Sequence, residues 1–164
     1  MNRMKTAKIF VSLAMVMASY GAVSAQISPY VGAQVEAAAK PCLDLAGAGA
    51  GLPDAQAKAV ATASLGPCYD ALKALDAFEK TNGPGLGPDE INYLYYLGGN
   101  VIWITAASEV IKNNGQLNAD ICVKVGAAER TWSNVKVPLG TQVDIEMRTN
   151  TIRAMLLPSC QQGG

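Results

Sequence analysis

Four cysteines, thirteen carboxylates and not one histidine define the chemistry open to this chain of 164 residues. Without an imidazole there is no Ser-His-Asp or Cys-His nucleophile. Histidine-ligated zinc and Cys-x-x-Cys-His haem attachment go with it. Carboxylate chemistry survives. Asp89, Glu90, Glu109, Asp144 and Glu146 could in principle supply an acid and a base facing each other across a cleft, as glycosidases require. Each also has a simpler place. Asp89 and Glu90 fall in the first turn of a helix, where the positive end of the helix dipole favours them. Asp144, three residues after Thr141, resembles the far half of a capping box. Glu109 and Glu146 are expected on solvated faces. Nothing in the acidic spacing matches a calcium loop. The residues therefore argue against an enzyme and point to no catalytic, metal or cofactor site.

The cysteines are Cys42, Cys68, Cys122 and Cys160, and the closest two are 26 residues apart. That spacing is neither the Cys-x-x-Cys of thiol-exchange enzymes nor the close pairs of zinc sites. An even number of scattered cysteines in an exported chain reads as two structural disulfides. Of the three possible connectivities, helix order selects Cys42 with Cys68 and Cys122 with Cys160.

Export itself is read from the N-terminus. Arg3, Lys5 and Lys8 precede an apolar run from Ile9, and Val23-Ser24-Ala25 places compact residues before a cleavage point. This is the three-part pattern of a secretory signal peptide. Residues 1–25 are expected to be removed, leaving a single helical domain over 26–164 in the bacterial periplasm or secreted beyond it. All 13 acidic residues but only 10 basic ones follow Ala25, so the mature chain carries a net charge of −3. Mild acidity disfavours nucleic acid and anionic lipid as partners.

Composition suggests the architecture. Half the residues are hydrophobic, many of them Ala, and strand signals are poor. The chain is expected to be all-α, a compact bundle of about five to six helices stabilised by the two disulfides. Proline and glycine divide it: helices from about residue 29 to 40, 53 to 65, 67 to 80, 88 to 113, 118 to 133, and 141 to 158. Pro41 and Gly66-Pro67 are read as breaks. The AGAGAG run at 46–51 is read as a loop. The uncharged stretch INYLYYLGGNVIWIT, residues 91–105, lies in the fourth of these helices. It is shorter than the roughly 20 residues that a bilayer core requires, so it is read as the central helix of the bundle and not as a membrane span.

The aromatic cluster Tyr93, Tyr95, Tyr96 and Trp103 is the best remaining handle for function, since Tyr and Trp supply amphipathic contact area. It is the candidate surface for an envelope protein partner. The leading expectation is a non-enzymatic protein-binding or structural module of the bacterial cell envelope. A carrier of a small apolar ligand between helices is the second reading, motivated by the Gly98-Gly99 thinning of the apolar helix. A carboxylate-dependent cell-wall hydrolase is the third. Oligomeric state has no signature in the sequence.

Overall fold

The computed structural model describes residues 27–49 and 52–136, together with Glu146, Thr149, Asn150, Arg153, Ser159 and Cys160. Among these residues there are four α-helices and no strand: α1 (Pro29–Ala48), α2 (Asp54–Asn82), α3 (Pro88–Lys112) and α4 (Ala119–Ser133), with a 3₁₀ turn, Gly83–Gly85, between α2 and α3. The described residues are all-α, in one helix fewer than expected over the same span. The expected leader at 1–25 and the expected cap at Thr141 and Asp144 lie outside the described residues. So does most of the expected sixth helix, although Ser159 and Cys160 are helical beyond Pro158, where that helix was expected to stop.

Two prolines do not break their helices, and one of them accounts for the lower number over the described span. Pro41 lies inside α1, and Pro67 lies inside α2, which fuses the expected second and third helices into one. A proline inside a helix removes one hydrogen bond and costs about 3 kcal/mol or more. Here the carbonyls left without a donor, those of Ala37 and Ala63, belong to exposed residues where water can serve them. The apolar stripe meanwhile runs through each proline without interruption. It comprises Val31, Val35, Ala39, Cys42 and Ala46 on α1, and Ala57, Ala61, Leu65, Cys68, Ala71 and Leu75 on α2. Burial of a continuous stripe outweighs one lost backbone bond.

These two stripes also share a motif. Pro41-Cys42-Leu43-Asp44 recurs as Pro67-Cys68-Tyr69-Asp70, and the same shift carries Val31, Val35 and Ala39 onto Ala57, Ala61 and Leu65, all buried. The equivalent cysteines bond to each other, Cys42 to Cys68. A short connection makes α1 and α2 an antiparallel hairpin, so its two halves meet about a local two-fold axis at the disulfide.

α3 is the centre. Sixteen of its 25 residues are buried, and it packs against α1, α2 and α4. Residue numbers fall along α2 as they rise along α3, from Glu79–Tyr95 through Ser64–Ser108 to Lys58–Asn114. They fall along α4 as well, from Asn92–Lys136 to Glu109–Lys124. The bundle thus runs up and down. No helix among the described residues is long and apolar enough to cross a membrane.

Helix ends follow local chemistry. Ser28 Oγ accepts from Val31 N at 3.3 Å, with Pro29 in the first helical turn. Glu90 accepts from the backbone of Gly87 at 2.9 Å and of Ser28 at 3.3 Å, and so ties the starts of α1 and α3 together. The Gly87 bond, then those from Ser28, hold the Glu90 carboxyl below its ordinary range. α3 closes on Asn114 and Gly115 with φ of 55° and 81°, the left-handed region that Asn and Gly tolerate. Asn118 Oδ1 then accepts from Ile121 N at 2.8 Å to open α4.

Trp132 of α4 lies where Gly99 of α3 leaves room. A Cβ at position 99 would stand 2.4 Å from Trp132 Nε1. Gly99→Ala should therefore destabilise the protein by about 1–3 kcal/mol through overpacking, despite the better helix propensity of Ala. Urea unfolding monitored by far-UV circular dichroism measures this. A neutral or stabilising effect would show that the indole does not occupy that space.

Candidate functional site

Polar side chains that penetrate the bundle do so mainly as inter-helix pairs, and one feature recurs. A tyrosine hydroxyl donates to a glutamate on a neighbouring helix in three places: Tyr93 to Glu36 of α1, Tyr95 to Glu79 of α2 at 2.8 Å, and Tyr69 of α2 to Glu109 of α3. The first two explain the aromatic cluster. Tyr93, Tyr96 and Trp103 are buried, at 3%, 1% and 5% exposure. Their rings belong to the core, so three of the four expected partner-contact residues give their area to the bundle instead of to solvent. Tyr95 alone keeps part of its ring at the surface, with its hydroxyl engaged by Glu79. That bond, and then burial, raise the Tyr95 pKa above its ordinary 10.0. Trp103 packs at a tilt against Trp132, with ring centroids 6.3 Å apart.

The third pair belongs to a charged cluster among the described residues. Glu109, expected on a solvated face, is 8% exposed. It sits where α2, α3 and α4 meet. Tyr69 donates to its Oε1, and Lys124 Nζ of α4 lies 3.2 Å from the same oxygen. Lys124 also pairs with Asp120 one turn back, and its ammonium stands 5.8 Å from the Tyr69 ring centroid. A carboxylate buried on α3 thus finds its cation on α4 and its hydroxyl on α2. The sequence carried no local sign of this, because the partners stand 40 and 15 residues away and no motif joins them.

The pKa directions tell what this cluster can do. Burial raises the Tyr69 hydroxyl above its ordinary value, and the hydrogen bond to Glu109 raises it further. Burial alone would lower Lys124, but the bonds to Asp120 and Glu109 outweigh it and the net movement is upward. Both groups are driven away from their reactive forms. A nucleophilic or Schiff-base lysine needs a depressed pKa, and a phenolate base needs the same. The Lys124 ammonium lies between the Glu109 and Asp120 carboxyls and pairs with both. The arrangement is an ionic junction between helices.

The remaining candidates fall elsewhere. Asp89 is exposed in the first turn of α3, Glu90 caps, and Glu146 is exposed. Asp144 lies outside the described residues. The described residues contain no group of three or more His, Cys, Asp or Glu that could hold a metal ion. Of the Gly98-Gly99 pair that motivated a ligand between helices, Gly99 faces Trp132, while a Cβ at Gly98 would meet nothing within 4 Å. No known protein family, curated protein or solved structure matches the chain.

Removing one member of a buried ion pair leaves the other uncompensated. Lys124→Met should cost about 3–5 kcal/mol at neutral pH, whereas Lys124→Met with Glu109→Leu should recover most of that loss. Chemical denaturation of the two variants tests this, and equal losses would show that Glu109 is solvated. The upward shifts of Tyr69 and Lys124 favour their protonated forms in the folded state. That stabilisation is complete below the ordinary values of 10.0 and 10.5 and is lost as pH rises through the higher folded values. The wild-type protein should therefore lose stability in this alkaline window more steeply than the double variant Tyr69→Phe, Lys124→Met. Melting curves across that window give the comparison.

Proposed function

We propose that the chain is exported, that residues 1–25 are removed, and that the remainder serves as a non-enzymatic module of the bacterial cell envelope which binds a protein partner or fills a structural role. The observation that carries this reading is the state of the cysteines. All four are paired, in Cys42–Cys68 and Cys122–Cys160, and none is free. Disulfides of this structural kind persist in oxidising compartments and are rare in the cytosol. Closing loops of 26 and 38 residues, they stabilise a folded chain by about 3–4 kcal/mol each in the chain-entropy description. The histidine-free composition and the unreactive Tyr69–Glu109–Lys124 junction support a role without catalysis.

Expression of the full chain in a bacterial host tests the export reading. The mature species should begin at Gln26, appear in periplasm or medium, and be four hydrogens lighter than its reduced form, as two disulfides require. A cytosolic chain that begins at Met1 with four free thiols overturns it. For the binding role, chemical cross-linking in envelope extracts should capture a specific partner. Tyr95→Ala, which leaves the buried Tyr93 and Tyr96 in place, should reduce the yield at least several-fold; an unchanged yield removes Tyr95 from the contact surface.

A further inference from the structure

The two disulfides stand in different environments. Cys42 and Cys68 are completely buried, at 0% exposure each, between α1 and α2. Cys122 and Cys160 are both partly exposed, at the start of α4 and in the C-terminal segment. We propose that Cys122–Cys160 is a thiol–disulfide exchange site, open to a dithiol reductant in the folded protein, while Cys42–Cys68 is closed to it. Exchange begins with a thiolate attacking a disulfide sulfur, so access to that sulfur decides which bond reacts. A thiolate carries a full charge, and the interior that surrounds Cys42 and Cys68 is apolar: Ala39, Leu43, Ala46, Leu65 and Ala71 are all buried. Bringing a charge into that interior requires the helices to part. At Cys122 and Cys160 no such opening is needed.

The contacts around the exposed bond point the same way. On α4, Cys122, Glu129 and Ser133 touch described residues of the C-terminal segment. Arg153 pairs with Glu129 at 2.6 Å and reaches Ser133 Oγ at 3.4 Å. Cys160 and Arg153 thus meet α4 at Cys122 and Glu129, seven residues apart along the helix. Along this line the described ties are the disulfide and the Arg153–Glu129 ion pair, whose side chains are 55% and 16% exposed. Cys122–Cys160 is the covalent tie between these described residues and α4, and its reduction removes that tie while Cys42–Cys68 stays in place.

The chemistry balances with a dithiol as co-reactant. One thiolate attacks a sulfur of the pair, a mixed disulfide forms, and the other protein sulfur leaves as a thiolate and takes a proton. The second thiol of the reductant then attacks the mixed disulfide and releases the second cysteine. The protein gains two electrons and two protons, and the reductant leaves as its own disulfide. In the envelope setting, which rests on the function proposed above, the co-reactant is a thiol–disulfide oxidoreductase with paired cysteines. The purified oxidised chain tests the site independently of where the protein resides. Dithiothreitol is the probe, applied under native conditions, followed by alkylation and peptide mass spectrometry over time. A species alkylated on Cys122 and Cys160 alone should accumulate, formed at least about tenfold faster than labelling of Cys42 and Cys68, which needs an opening of the core. Simultaneous labelling of all four cysteines, or earlier labelling of Cys42 and Cys68, overturns the proposal. In the Cys122→Ser, Cys160→Ser double variant, folding checked by circular dichroism, the remaining bond should resist the same treatment; reduction as fast as that of the wild-type exposed bond refutes the selectivity. The wild-type time course decides alone if that variant does not fold.

Discussion

A helix that is apolar around its circumference must be surrounded, and that constraint shapes this molecule. α3 presents Leu94, Leu97, Val101, Ile104, Ala107, Val110 and Ile111 to the core along its length. No single neighbouring helix can cover such a surface, because a packed helix shields only the stripe it touches. α1, α2 and α4 all pack against it, and their own one-sided stripes are complementary to a central cylinder. The up-and-down order lets short connections place each covering helix beside it.

Close wrapping has a polar consequence. Several groups carried on or next to the central helix find partners on the wrapping helices, since buried polar atoms without hydrogen bonds are costly. The tyrosine–glutamate pairs meet this demand at the rim, where an aromatic ring fills the interior and its hydroxyl reaches outward. Ser64 and Ser108 meet at 3.1 Å between α2 and α3, and Thr105 satisfies itself by donating to the Val101 carbonyl at 2.7 Å. Glu109 is the extreme case, a charge on the central helix neutralised by a lysine from α4. Its role follows from position: it can be buried only while α2 and α4 are both in place.

The disulfides complement this packing at two different levels. Cys42–Cys68 lies within the hydrophobic core and joins helices that already meet along matched apolar stripes. Cys122–Cys160 is partly exposed and ties Cys160 to the start of α4. Accessibility of sulfur distinguishes the two bonds, and the proposed exchange rests on that difference.

Much of this was legible in the chain itself. Helical content, the caps at Ser28 and Asn118 and the left-handed turn at Asn114-Gly115 follow from local rules that act over four or five residues, and the two disulfides from the even number of scattered cysteines. The same local rules misread Pro41 and Pro67, because a proline's cost is local while the burial that offsets it runs the length of a helix. They also misplaced Glu109 relative to solvent, and did not say which of Tyr93, Tyr95, Tyr96 and Trp103 would reach it. Which face of α3 meets water is not a property of α3, whose apolar residues point everywhere; it depends on which helices arrive around it. Local residue chemistry determined where the helices start and how they are capped. Only the packing of distant helices decided which side chains were left to touch anything else, since burial is a relation between segments that no single segment contains.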